Sequence, residues 1–268
     1  MLEFTCNICG ATNRGFDRLV IHRELLPCAN CGSCPRFRGI VHAVQQAFLG
    51  TNTILRQADT NKRVTGLGFS DSNVYATEFS RIFSYTNTFF HQEPILDITN
   101  TASVARYQPV DFVICSDVLE HVPPPAITAF ENLRRLVKQG GTLFFSVPYL
   151  EGYETIEHYP HLYQWRVVKK LDGRFIVENL RRGDPNRPGR EPFVETFERP
   201  EFHGGPGEVL EMRIYGEGDL LARLDYAGFH SVTPLEPVIE AIGYVWESGS
   251  ERPEWHGRKG KGWILVCR

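Results

Sequence analysis

Along the chain, short apolar runs alternate with stripes of apolar residues at helical spacing. Val110 to Ser116 is apolar apart from Asp111, as expected of a central parallel strand covered on both faces. From Pro124 to Val137, Ile127, Phe130, Leu133, Leu136 and Val137 share one side, which predicts a helix ended by Gly140-Gly141. Thr142 to Val147 predicts the next buried strand. Upstream, Arg63 to Leu67 predicts a first strand running into a glycine turn, Ile82 to Tyr85 a weak second, and Ile95 to Ile98 a short third element. Toward the C-terminus, Gly218 to Ala227 predicts a helix capped by Gly228, followed by strands at Ser231 to Leu235 and Gly262 to Cys267. This repeated strand, turn and helix predicts an α/β fold with an open, doubly wound, Rossmann-like sheet.

Two regions stand outside that rhythm. Ile40 to Leu49 has helical spacing and joins an N-terminal segment, residues 1–39, to a main domain, residues 40–268. Arg36 and Arg38 at its start suit either an anion or a solvated helix end. Pro148 to Tyr215 is too long and too polar for a simple crossover. Within it, Trp165 to Lys170 and Arg174 to Leu180 flank Asp172-Gly173, a hairpin signal, and Arg181 to Arg190 reads as a loop. Residues 148–215 are therefore expected to form an insertion capping the carboxyl ends of the strands, where open α/β sheets bind ligands.

Composition narrows the classes. The 268 residues are 42% apolar and 23% charged, ordinary values for a globular protein. A net charge of -3 argues against a nucleic-acid partner held through phosphate charge. No apolar run reaches membrane-spanning length, and the first residues lack signal-peptide character, so a cytoplasmic protein with reduced thiols is expected. Five of seven cysteines precede residue 35. Cys6, Cys9, Cys28 and Cys31 form two CxxC pairs, each followed by glycine. Such pairs suit four thiolates around one structural zinc, with His22 or Cys34 as substitutes for one ligand. Phe16, Leu19, Val20 and Leu25 offer this knuckle only a very small core. Cys115 and Cys267 sit in apolar runs and read as core.

Gly66-Leu67-Gly68 lacks the spacing of a dinucleotide fingerprint, and no lysine stands near enough for a P-loop, so a ligand without phosphates fits better. The segment Asp111 to Pro123, containing Leu119-Glu120-His121, then a helix, then Gly140 to Pro148, resembles the class I S-adenosylmethionine-dependent methyltransferases. The likeness covers about residues 60–148, Gly218 to Phe229 and the terminal strands. The cysteine-pair start also resembles a segment found before some bacterial methyltransferases of sugar and surface-glycan pathways.

The resemblance implies S-adenosylmethionine as cofactor. It places Gly66 and Gly68 against the methionine part, Asp71 near the amino group, Asp97 at the adenine edge, and Ser116 and Asp117 near the transferable methyl. The family's ribose-binding acid has no counterpart in Ser84-Tyr85-Thr86-Asn87, where Asn87, or Glu93 beyond it, is the substitute and Tyr85 can pack on the ligand. For a hydroxyl acceptor, His121 is the first candidate base, with a hydrogen-bonding role in the turn as its alternative. His158, His161 and His203 are further candidates in the insertion, and Glu157, His158 and His161 make a weak second metal set. Arg181, Arg182, Arg187 and Arg190 suit an acidic or phosphorylated acceptor or a solvated loop, and Trp246, Trp255 and Trp263 offer stacking or packing faces. The expected activity is O-methylation of a sugar-like or other small polar metabolite. The alternatives are an RNA or protein methyltransferase recognising its target through the knuckle, and an inactive scaffold.

Overall fold

The computed structural model describes residues 2–16, 23–162, 164–181, 193–203, 205–245, 254–255 and 257–268. His22, Leu19, Val20, Arg182, Arg187, Arg190 and Trp246, and the side chains of Phe16, Arg181 and Trp255, lie outside what is described.

The chain opens with an antiparallel pair, β1 (Leu2–Thr5) and β2 (Thr12–Phe16). Helix α1 (Pro35–Phe48) begins five residues earlier than the spacing of apolar residues predicts. Pro35 occupies its first turn, where the missing N–H has no helical partner to lose. Arg38 is neither solvated nor free for an anion. It is fully buried and donates to the carbonyls of Ile242 (2.7 Å), Gly243 (2.8 Å), Leu26 (3.3 Å) and Ser33. Leu2, Phe4, Cys6, Ile8 and Cys28 belong to the same apolar cluster as Ile40, Val41 and Val44 of α1.

The central elements are β3 (Thr65–Phe69), α2 (Asn73–Ile82), β4 (Ser84–Thr88), α3 (Thr101–Val104), β5 (Val110–Ser116), α4 (Ile127–Leu136) and β6 (Val137–Ser146). The four strands are parallel, in the order β4-β3-β5-β6. The terminal strand Leu265–Cys267 adds antiparallel to β6, and β15 (Val232–Pro234) adds antiparallel to that strand. Phe112, Ile114 and Phe144 face α1 and α2, while Val113, Cys115, Leu143 and Phe145 face α4 and α5 (Glu217–Ala227). Burial on both faces is why β5 reads as a nearly unbroken apolar run.

Two expectations change. Ile95 to Ile98 contributes only a single bridge, Phe89 to Ile95, so α3 follows an irregular segment. Gly140-Gly141 does not end the helix. The chain passes from Leu136 directly into β6, whose register with β5 shifts between Val110 and Phe112, and Gly140 takes the turn at φ 76°.

The insertion builds short strands: β7 (Tyr149–Leu150), β8 (Ile156–Glu157), β9 (Gln164–Lys169), β10 (Phe175–Arg181), β11 (Phe193–Phe197), β12 (Phe202–His203), β13 (Val209–Leu210) and β14 (Arg213–Gly216). The predicted hairpin at Asp172-Gly173 joins β9 to β10, and β11 completes an antiparallel sheet. Arg213 anchors the insertion to the turn after β5. It is fully buried and donates to the carbonyls of Leu119 (3.0 Å) and Val122 (2.6 Å). The Met212 amide donates to Glu120 O at 2.7 Å.

Candidate active site at the carboxyl ends of the strands

Strand order reverses at β3, with β4 on one side and β5 on the other, so the crevice of this sheet opens at the ends of β3 and β5. Ser70 and Asp117, the residues that leave these strands, both hold left-handed backbone, at φ 54° and 55°. That conformation is uncommon for side chains other than glycine and turns the chain sharply at both strand ends.

The N-terminal segment reaches this crevice. Its cysteine knuckle is built from two like turns, with Gly10 N–H donating to Cys6 O and Gly32 N–H to Cys28 O, both at 2.8 Å. Cys6 Sγ lies 3.7 Å from Cys31 Sγ, and Cys9 Sγ lies 3.7 Å from Cys28 Sγ. All four sulfurs fall within 4.8 Å of one another. Ligands at ~2.3 Å around a tetrahedral ion stand ~3.8 Å apart, so the thiols are spaced as a closed metal site. Cys34 is excluded from the set and donates to Glu24 Oε2 at 3.3 Å. Arg23 and Glu24 lie between the two cysteine pairs, and Arg36 lies in the first turn of α1. Arg23 is bonded to both oxygens of Asp117, and Arg36 lies 3.4 Å from the same carboxylate and is paired with Glu24. Arg36 Nη1 also donates to Ser116 Oγ at 2.8 Å, and Ser146 Oγ donates to Asp117 Oδ1 at 3.1 Å. Although burial opposes it, the two guanidinium groups hold the Asp117 carboxyl well below the usual carboxylate range.

The glycines have a packing explanation. A Cβ on Gly66 would lie 2.3 Å from the Phe112 ring, and one on Gly68 would lie 1.9 Å from Tyr85 Oη and 2.0 Å from Asp71 Oδ2. Asp71 points into this space beneath the strand. It accepts from Tyr75 Oη at 2.8 Å and from Tyr85 Oη. Burial pushes its carboxyl up to about 7, against the lowering effect of the two phenols. Tyr85 stacks on Phe112 at a centroid distance of 5.8 Å. The Asn87 amide brackets the main chain of Asp71, accepting from its N–H and donating to its carbonyl, both at 2.9 Å. Asp97 Oδ1 accepts from Thr99 N at 2.9 Å and Thr99 Oγ1 at 2.7 Å, so Oδ2 is not needed by that turn.

On the opposite side of Asp117, the turn Leu119–His121 meets the insertion. His121 Nδ1 lies 2.9 Å from Leu210 O. A carbonyl only accepts, so the proton sits on Nδ1 and the Nε2 lone pair is left toward Glu120, 3.8 Å away. His203 comes from β12, with Nδ1 3.5 Å from Glu120 Oε1 and its ring 5.2 Å from that of His121. The neighbouring Glu120 carboxylate raises the His203 imidazole above its ordinary value. Glu120 is fully buried, and neither carboxylate oxygen has a hydrogen-bond partner among the described residues. His158 pairs elsewhere, with Glu211 Oε1 at 3.2 Å. The expected set of Glu157, His158 and His161 does not converge, because Glu157 pairs with Arg213 at 2.8 Å and His161 is exposed.

A sequence profile described as a methyltransferase domain matches residues 11–178. The chain belongs to that methyltransferase family. It has the α/β architecture of class I and is an S-adenosylmethionine-dependent enzyme, carrying an N-terminal four-cysteine cluster. Two curated relatives of this methyltransferase bear the name ubiquinone biosynthesis O-methyltransferase. The one from Nitrosomonas europaea is 28% identical over 120 residues, 45% of this chain and 44% of the relative. The one from Saccharophagus degradans is 29% identical over 153 residues, 56% of each. The chain thus spans about half the length of the curated relatives it matches. Among solved structures, the N-terminal domain of EvdMO1 with SAH bound has a TM-score of 0.45 at 15% identity, covering 88% of this chain and 82% of that one.

Two residues at this methyltransferase's strand ends were not among the expected site residues: Arg23 and Glu120. Arg23 sits in a segment whose path depends on the cysteine knuckle, and nothing in its spacing marks it. Glu120 was visible inside Leu119-Glu120-His121, but only the contact with β12 distinguishes it from a surface acid. No helix among the described residues is long and apolar enough to cross a membrane.

Proposed function

We propose that this methyltransferase methylates a hydroxyl of a small, polar, sugar-like acceptor, with the acceptor seated against Glu120, His121 and His203. The observation that carries this reading is the convergence of His203 and His121 on the fully buried Glu120 carboxylate at the end of β5, whose oxygens have no hydrogen-bond partner among the described residues. The shared name of the two curated relatives supports oxygen as the accepting atom.

The strand ends suit the cofactor. In this reading Asp97 Oδ2 would accept from the adenine amino group, the main chain around Gly68 to Asp71 would border the methionine part, and the Arg23 and Arg36 guanidinium groups would attract its carboxylate. Gly66, Tyr85, Asn87 and the Asp71 side chain would support this wall from beneath, since they are committed to one another. Ser116 and Asp117 would border the methyl. When bound, S-adenosylmethionine supplies a methyl group on a positively charged sulfur. Transfer would make one oxygen–carbon bond and break the carbon–sulfur bond, with the electron pair left on sulfur. The proton leaves the hydroxyl at the Glu120, His121 and His203 cluster. Alignment and exclusion of water are the main demands of such a transfer, and the insertion would serve both.

In the same reading the knuckle holds zinc as a structural ion, and a cytosolic compartment suits the unbridged thiols. Isothermal titration with S-adenosylmethionine, followed by mass-spectrometric screening of hydroxylated sugars and phenols for a gain of one methyl, tests the proposal. Saturable cofactor binding with transfer to a hydroxyl supports it. Transfer only to nitrogen, or to RNA or protein, would replace it.

A further inference from the structure

We infer that Glu120, His121 and His203 form a second metal site, which takes a divalent ion of the manganese, iron, cobalt or zinc class. Three observations meet there. The Glu120 carboxylate is fully buried, and neither oxygen has a hydrogen-bond partner among the described residues. A buried carboxylate with no hydrogen bond, faced only by two imidazoles at ion-pair distance, is costly, and a cation held among the three groups would remove that cost. The two imidazole nitrogens stand 3.5 and 3.8 Å from Glu120 Oε1, and the three candidate ligand atoms lie within 4.8 Å of one another. Ligands at ~2.1 Å around one ion are spaced ~3.0 to 3.4 Å in octahedral or tetrahedral arrangement, so a shift of a few tenths of an ångström closes the set. Finally, His121 is oriented as metal-bound histidines are. Its Nδ1–H is held by the Leu210 carbonyl at 2.9 Å, and Nε2 is presented to the site.

Two imidazoles and one carboxylate select a borderline ion over calcium or magnesium, which prefer all-oxygen shells. Three protein ligands leave positions for water or for an acceptor oxygen. The site differs in kind from the cysteine knuckle, whose four thiolates fill a coordination sphere. Its role in transfer rests on the proposed function, but ion binding does not. With an ion bound, both nitrogen lone pairs are occupied. A coordinated hydroxyl would then be acidified by the ion and would lose its proton to solvent.

The test uses the full chain with zinc retained in the knuckle, titrated with Mn(II) while the free-ion signal is followed by electron paramagnetic resonance. Manganese competes poorly for four thiolates, so the readout isolates the second site. About one Mn(II) per chain is expected, with affinity weakened on the order of tenfold or more in both Glu120→Gln and His203→Ala. His203 is partly exposed, so its variant decides the matter if Glu120→Gln does not fold. No bound Mn(II), or equal binding in the folded variants, would overturn the inference. Manganese binding without methyl transfer to any hydroxyl would keep the site and remove the proposed function, and methyl transfer to a hydroxyl without Mn(II) binding would do the reverse.

Discussion

Asp117 and Glu120 are two buried acids on one turn, three residues apart, and their surroundings are opposite. Asp117 faces the knuckle side, where Arg23 and Arg36, Ser146 and the main chain satisfy it. Glu120 faces the insertion side, where two imidazoles stand at 3.5 and 3.8 Å and neither oxygen has a hydrogen-bond partner among the described residues. The first arrangement ties an N-terminal segment to a strand end. The second has the form of a site awaiting a ligand. Burial alone does not separate the two; completeness of pairing does.

The largest expected effect tests whether the knuckle side is a built structure. If zinc fills the four thiolates, its removal by a strong chelator, or Cys28→Ser, should lower the melting temperature by about 10 °C or more, because structural zinc contributes roughly 10 kcal/mol to folding. Cys6 and Cys28 lie in the cluster that includes α1, so loss should spread beyond the first strands. Differential scanning fluorimetry with and without chelator measures this, and an unchanged transition would show that the ion is dispensable.

Asp117→Ala addresses the clamp itself. It leaves Arg23, with a side chain only 2% exposed, facing a lost partner. Removing one member of a buried pair costs about 3–5 kcal/mol. Urea unfolding should show a loss of that order, and a change under ~1 kcal/mol would mean that Glu24 satisfies Arg23 without it.

These two regions were unequally legible. The sheet was readable because burial on both faces imposes apolar runs, as at Phe112 to Cys115, and the cysteine pairs were readable because thiolate spacing is short-range. Asp71 was misleading: its closeness to Gly68 suggested a ligand contact, yet the absence of a glycine side chain makes room for its carboxyl to turn inward toward Tyr75 and Tyr85. His203 was one histidine among several, and its pairing with Glu120 spans more than eighty residues through the anchor at Arg213. Tertiary partners of that kind leave no local periodicity.

Asp71 supplies an intermediate effect, independent of both clusters. The unfolded chain loses this proton near pH 4, whereas the folded protein holds it to about 7. Its contribution is therefore complete below about pH 4 and declines as pH rises through 7. Between pH 5 and 7 the decline should amount to about 2 kcal/mol. Asp71→Asn keeps an acceptor for the two phenols and removes the titration. The difference in unfolding free energy between wild type and variant should slope across that window. Parallel curves would show that the Asp71 carboxyl ionises normally in the folded state.

Glu120→Gln gives the smallest expected change in stability and the sharpest contrast with Asp117. With zinc in the knuckle and no second metal added, the wild-type protein carries a buried carboxylate without hydrogen-bond partners among the described residues, and the amide removes that charge at nearly equal volume. The melting temperature should stay within about 2 °C of wild type or rise, while methyl transfer falls. A site held for function tolerates this exchange, because its members are arranged for a ligand and add little to folding. A drop matching that of Asp117→Ala would instead place Glu120 among the structural acids, with His121 and His203 as its permanent partners. The same residue would then tie the insertion to the strand end in the way that Asp117 ties the knuckle.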